Sequence, residues 1–214
     1  AQTAVYGGGD WINFAGGTGN AAALYSTGGN WDGVIGSNGT VYLVSAQTAV
    51  YGGGDWIHFA GGTGNAASLY STGGSWDGVI GSNGTVYLTS AQATVTGASD
   101  SVFLSGSSSV TANGSDDTLG LSGTSVVTAN GSQEFFAMSS ALGVNVINDF
   151  NSTDTIEFNT SQFSDWSALV PDMKQVGANT VITQDAKDTV TLTNLALSSL
   201  TSSQFGFFTP LKPL

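Results

Sequence analysis

Short runs with apolar residues at every second position fill the first two thirds of the chain. TAVY, DWINF, DGVI and TVYL are separated by GGG, GGTGN, STGG and GSNGT. Such alternation, bounded by glycine turns, predicts half-buried strands of about five residues. No stretch before residue 160 has helical periodicity. With Val5, Ile12, Phe14, Leu24, Val34, Val41, Leu43 and their equivalents facing inward, Trp11 and Asn13 face outward.

The strands recur in a long repeat. Residues 1–45 and 46–90 are near copies that differ at four positions, Asn13/His58, Ala23/Ser68, Asn30/Ser75 and Val44/Thr89. A third unit opens in the same register at Ala91-Gln92 and keeps Asp100 where the copies have Asp10 and Asp55. It then shortens, so that VTANGSD (110–116) and VTANGSQ (127–133) lie 17 residues apart. A hairpin meander does not explain identity over this length, whereas coils stacked on identical coils do. The expected fold is all-β, a right-handed parallel β-solenoid over residues 1–143, made of copies 1–45 and 46–90 and degenerate units 91–143.

Two coil lengths fit. At about 22 residues each copy closes two coils, and equivalent residues of the copies sit roughly 9.5 Å apart. At about 18 residues each copy closes two and a half. The recurrence of GGDW as GGNW after about 20 residues favours the longer coil.

From about Val144 the glycines thin out. Phe163, Trp166, Leu169 and Met173 recur at near-helical spacing, interrupted at Pro171. NTVITQ and DTVTLTN read as a hairpin around Asp185–Lys187. Residues 144–208 are expected to cap the last coil with a short helix and a hairpin, Trp166 lying in the cap's core, and 209–214 form a tail.

Charge narrows the function classes. There are 15 acidic residues and three lysines (Lys174, Lys187, Lys212), no arginine, and a net charge of −12. No basic stripe can hold phosphates, which argues against nucleic acid and anionic membranes as partners. No apolar run approaches the roughly 20 residues that cross a bilayer, and the N-terminus lacks a basic-then-apolar leader. Absence of cysteine fits an exported protein stabilised by other means. A secreted, extracellular or cell-surface location is expected, with extracellular polysaccharide or matrix as partner.

The turns carry the candidate chemistry. Hard cations need six to eight oxygens with several carboxylates, and Asp10, Asp55, Asp100, Asp116 and Asp117 are the candidate calcium ligands. The plainer alternative is an Asp that bonds its own turn. Trp11, Trp31, Trp56 and Trp76 each adjoin a glycine turn and an Asp. With Asn13 and His58 they would make an outward platform for sugar rings, or simply stack on one another. Catalysis is disfavoured. His58, the one histidine, is Asn13 in the other copy, and serines have no other histidine base. Asp10 with Asp32, or Asp55 with Asp77, could pair as in a glycosidase, but duplicate sites suit avid binding better. Flat Thr and Asn rows for ice are made irregular by the bulky tryptophans.

Two stretches carry a resemblance. GGTGN at 16–20 and 61–65, with the GxxD elements ending at Asp10, Asp55, Asp100 and Asp116, resembles the glycine–aspartate nonapeptide of repeats-in-toxin β-roll proteins. GVNVINDFNSTDTIEFNTSQF and VGANTVITQDAKDTVTLTNLALSSLTSSQFGF are similar to the C-terminal ends of bacterial proteins exported by type I secretion. The resemblance implies calcium held between successive turns by Asp carboxylates and backbone carbonyls. Here Asn20, Asn65 and Ser37 stand in many second turns, leaving a few sites. The reading is a non-catalytic secreted structural and binding module with calcium-assisted folding. The alternative is a C-terminal export and folding appendage of a larger secreted hydrolase or polysaccharide lyase.

Overall fold

Each 45-residue copy forms five strands, and that odd number sets the architecture. The computed structural model describes residues 2–209 apart from 15, 17, 18, 26–28, 72, 73 and 140. The first copy forms β1 (Gln2–Tyr6), β2 (Trp11–Asn13), β3 (Ala21–Tyr25), β4 (Asp32–Ile35) and β5 (Thr40–Val44). The second forms β6 (Gln47–Gly52), β7 (Trp56–Gly61), β8 (Ala66–Ser71), β9 (Asp77–Ile80) and β10 (Thr85–Thr89). The degenerate units add β11 (Gln92–Thr96), β12 (Ser101–Ser105), β13 (Ser107–Asn113), β14 (Thr118–Leu121), β15 (Thr124–Ala129) and β16 (Phe135–Met138).

Successive strands alternate between two sheets. The odd-numbered strands pair in parallel in sheet A and the even-numbered strands in sheet B. One coil is therefore one strand of each sheet plus two turns, which is a parallel β-solenoid. Five strands close two and a half coils, so β1 lies in sheet A and its twin β6 in sheet B.

The longer coil favoured by the tryptophan spacing is thus corrected. GGDW and GGNW do mark a coil of 22 residues between Asp10 and Asp32, as GGDW and GGSW do between Asp55 and Asp77, but the other coils close in 16, 17, 19 or 20 residues. Turns absorb the difference while the strands keep register. Equivalent residues of the two copies consequently face opposite sides of the solenoid instead of stacking roughly 9.5 Å apart.

Like side chains stack on like. In sheet B, Ile12, Val34, Val50, Leu69, Leu88, Leu104, Leu121 and Met138 form one inward column. From Val34 onward none is more than 2% exposed, and each buried Val or Leu is worth about 1.5–3 kcal/mol. Phe14, Leu24, Val41 and Leu43 are buried as predicted, whereas Val5 and Ile12, on the first coil, are half-buried. Turns stack as closely: a Cβ on Gly97, Gly114 or Gly131 would overlap the carbonyl oxygen of Gly81, Gly97 or Gly114, one coil earlier.

Both sheets run on into the C-terminal segment through β17 (Val144–Asn148) and β18 (Thr155–Asn159). Asp165 then caps α1 (Trp166–Leu169) by accepting the Ala168 N–H, and Pro171 turns the next residues, Val170–Asp172, into a 3-10 turn. β19 (Met173–Val176), β20 (Asn179–Thr183) and β21 (Thr189–Leu192) form an antiparallel meander that contains the predicted hairpin and adds a third strand. β21 pairs with β17, and β22 (Phe205–Phe208) pairs with β18. Trp166 packs against the core with its ring 5.1 Å from Phe205.

Candidate functional site

At each corner of the solenoid a strand begins with an N–H that the sheet ladder does not reach, and a side chain from the next coil accepts it. On one corner the Asp10 N–H donates to Asp32 Oδ1 at 3.0 Å and the Ala46 N–H to Asn65 Oδ1 at 3.1 Å. Further along, Gly84 donates to Asp100 (2.8 Å), Asp100 to Asp117 (2.9 Å), Asp117 to Glu134 (3.1 Å) and Glu134 to Asp154 (3.0 Å). On the opposite corner Gly39 donates to Asp55 (2.7 Å) and Asp55 to Asp77 (2.9 Å).

These ladders rearrange the predicted metal set. Asp55, Asp100 and Asp117 are buried within them, Asp55 on one corner and the other two on the opposite one. Asp10 and Asp116 have exposed side chains, and Asp116 sits at φ 63, a turn conformation that Asp tolerates. Asp32, Asp77, Glu134 and Asp154 were not among the predicted ligands, yet all are buried. The signal for them was an acid two residues before an inward apolar one, as in Asp32-Gly-Val34 and Glu134-Phe-Phe136.

Each ladder carboxylate spends at least one oxygen on a backbone N–H, and Asp154 spends both, on the Glu134 and Asn151 N–H groups. The second oxygen of Asp32, Asp55, Asp100 and Glu134 is buried without a hydrogen-bond partner. No lysine or arginine precedes residue 174. Burial raises the pKa of Asp77 and of Asp100 to about 6, with the charge of Asp55 adding in the first case and of Asp117 in the second. Burial, then the charges of Asp117, Asp154 and Asp116, push Glu134 up to about 8. Asp55, Asp117 and Asp154 are raised by burial as well.

In kind, these oxygens fit a hard cation. In number they offer one or two per coil, with backbone carbonyls and water left to complete six to eight. Among the described residues no group of three or more His, Cys, Asp or Glu converges to hold a metal ion.

The aromatic residues form two faces, not one. Trp11 lies outward on sheet B over Gly33, with its ring 6.0 Å from Tyr51. Its twin Trp56 lies outward on sheet A over Gly78. Asn13 and His58 part in the same way, and His58 stacks on Tyr42 at 4.9 Å. Trp31 and Trp76 precede β4 and β9, so they too belong to different sheets, and Trp31 reaches to 6.2 Å from Tyr87. Outward rings stack where coils meet, Tyr51 on Tyr70 at 4.8 Å and Tyr87 on Phe103 at 5.4 Å.

Beside that last pair sheet B is hollow. Outward positions that carry Tyr87 and Phe103 carry Gly120 and Ala137 on the next two coils. The missing side chains leave a trough of about 400 Å³, edged by Ser105, Ser122 and Ser139 and closed at one end by Phe208.

The carboxyl pairs considered for glycoside cleavage are bonded along the coil stack: Asp32 accepts from the Asp10 backbone and Asp77 from the Asp55 backbone. Among the described residues no helix is long and apolar enough to cross a membrane.

No protein-family model and no curated protein matches the chain. Among solved structures it is similar to the extracellular lipase LipA from Serratia marcescens, at 14% identity and a TM-score of 0.39 over 92% of this chain. The chain spans 42% of that protein's length.

Proposed function

We propose that this chain is a non-catalytic repeat module of a secreted protein, which contacts extracellular glycan or matrix through sheet B and takes calcium at its corner ladders as it folds. The trough beside Phe103 is the observation that carries the binding part. A sugar ring presents flat C–H faces and a rim of hydroxyls. Tyr87 and Phe103 offer apolar ring surface, Gly120 and Ala137 leave the depth, and the serine row offers partners for hydroxyls. Trp31, in contact range of Tyr87, extends the same surface.

Calcium binding is supported by the unpartnered buried oxygens of Asp100 and Glu134. A bound cation would neutralise these buried carboxylates and would favour the folded over the unfolded chain. Retention on immobilised polysaccharides tests the binding part. Phe103→Ala and Trp31→Ala should each weaken retention, and Trp56→Ala, on the other sheet, should weaken it less. Equal retention of all variants and the parent on every glycan tried removes the sugar platform.

A further inference from the structure

Four Asn-Gly pairs lie in the solenoid turns: Asn38-Gly39 and Asn83-Gly84 within GSNGT, Asn113-Gly114 and Asn130-Gly131 within TANGS. In such a pair the side chain can react with its own backbone, because glycine has no Cβ to shield its nitrogen. That nitrogen attacks the asparagine Cγ. An N–C bond forms, the Cγ–Nδ2 bond breaks, and ammonia leaves with the glycine N–H proton. Water then opens the cyclic imide to an aspartyl or isoaspartyl residue. The attack needs a nitrogen free to give up its proton, and it pushes negative charge onto Oδ1.

In the first two pairs the corner ladders withhold the nitrogen. The Gly39 N–H donates to Asp55 Oδ1 at 2.7 Å and the Gly84 N–H to Asp100 Oδ1 at 2.8 Å, and both bonds are buried. Attack would break a charge-assisted bond and leave the deprotonated nitrogen beside a carboxylate. Asn38 and Asn83 are themselves exposed, so access of water is not what protects them. At Asn113 the arrangement is reversed. The Gly97 N–H donates to the Asn113 carbonyl oxygen at 3.2 Å, but the same step one coil on, from Gly114 to Asn130, is not made. Among the described residues no acceptor meets the Gly114 N–H. Asn130 lies beside Asn113, and its Nδ2 donates to Asn113 Oδ1 at 2.9 Å, on the oxygen where the charge of the attack develops. Gly131 also has an uncommitted N–H, but among the described residues no donor meets Asn130 Oδ1.

We propose that Asn113-Gly114 is a self-modification site, where the chain converts Asn113 to aspartyl and isoaspartyl forms with Asn130 as the positioning donor. Either product adds a negative charge to the turn. The isoaspartyl form also lengthens the backbone by one carbon just ahead of Gly114, where a Cβ would already overlap the Gly97 carbonyl oxygen. Modification therefore loosens the stack at this coil, while the two GSNGT turns keep their asparagines.

The test is the rate of ammonia loss at each pair in the full chain, held folded in mildly alkaline buffer and, separately, unfolded in concentrated urea. Cleavage before aspartate puts the four pairs in four different peptides, and mass spectrometry reads the gain of one mass unit in each. In urea the four should react at about the same rate. In the folded chain Asn113 should react at least about tenfold faster than Asn38 and Asn83, with Asn130 between them. Asn130→Ala should slow Asn113 at least about fivefold in the folded chain and leave its rate in urea unchanged. Three results would overturn the proposal. One is a folded chain in which Asn113 is no faster than Asn38 and Asn83, or slower than Asn130. Another is the same ranking in urea, which would assign the difference to sequence and not to the fold. The third is an Asn113 rate that is unchanged or faster in the Asn130→Ala variant, which would make the amide contact a restraint.

Discussion

Replacing Glu134 by glutamine isolates the electrostatics of the corner ladder. The Glu134 carboxyl accepts the Asp117 N–H on Oε2, has Oε1 buried without a partner, and faces Asp117, Asp154 and Asp116, all of like charge. Burial first, then Asp117, raises its pKa from 4.5 to about 8. The unfolded chain keeps the ordinary value, so between these two values the folded protein binds more protons. Below about pH 4.5 both states are protonated and the group costs nothing. As pH rises through the window the unfolded chain ionises while the folded state holds its proton, so stability falls until the buried group itself ionises near pH 8.

The gap between 4.5 and about 8 sets a ceiling of roughly 5 kcal/mol at about 1.4 kcal/mol per pH unit. Protons redistribute among Asp117, Glu134 and Asp154 as pH rises, so about half of that, about 2–3 kcal/mol, is expected. Glutamine keeps an acceptor for the Asp117 N–H and cannot ionise. The assay is urea denaturation in chelator at several pH values between about 5 and 8. The parent should lose about 2–3 kcal/mol more than E134Q across that range. A parent whose stability is flat or rises with pH, or an E134Q variant with the parent's slope, refutes the reasoning.

Millimolar calcium should raise the melting temperature relative to excess chelator; saturation at about 100 times Kd stabilises by about 2.7 kcal/mol, and superimposable melts would mean that the ladders take no calcium. Gly114→Ala places a Cβ onto the Gly97 carbonyl oxygen, so it should destabilise by about 1–3 kcal/mol, while Ser115→Ala in the same turn should stay within about 0.5 kcal/mol; equal melting temperatures for the two would deny the close stacking of the turns. Leu104→Ala removes a buried member of the sheet B column and should cost about 2–5 kcal/mol by chemical denaturation, whereas a loss below about 0.5 kcal/mol would place that side chain outside the core.

Local chemistry made much of this protein legible. Alternation at every second residue marked the strands, and Leu24, Val34, Val41 and Leu43 could be assigned inward because a strand has only two faces. Identity over 45 residues required identical neighbours, hence stacked coils. The cap showed in the loss of glycine after Val144, and its helix stopped at Pro171 as the missing N–H and fixed φ require. Which face a residue occupies on the assembled solenoid depended on a count no local pattern contains. Five strands per copy carry Trp11 and Trp56 to opposite sheets, and coils of 16 to 22 residues keep register because glycine turns, not strands, change length. The ladders escaped notice for a related reason. Asp100, Asp117, Glu134 and Asp154 are 17 or 20 residues apart in sequence and become neighbours only when coils stack. There, each backbone N–H left over at a corner finds its acceptor one coil further on, and burial of that acceptor, which no sequence spacing states, decides its charge.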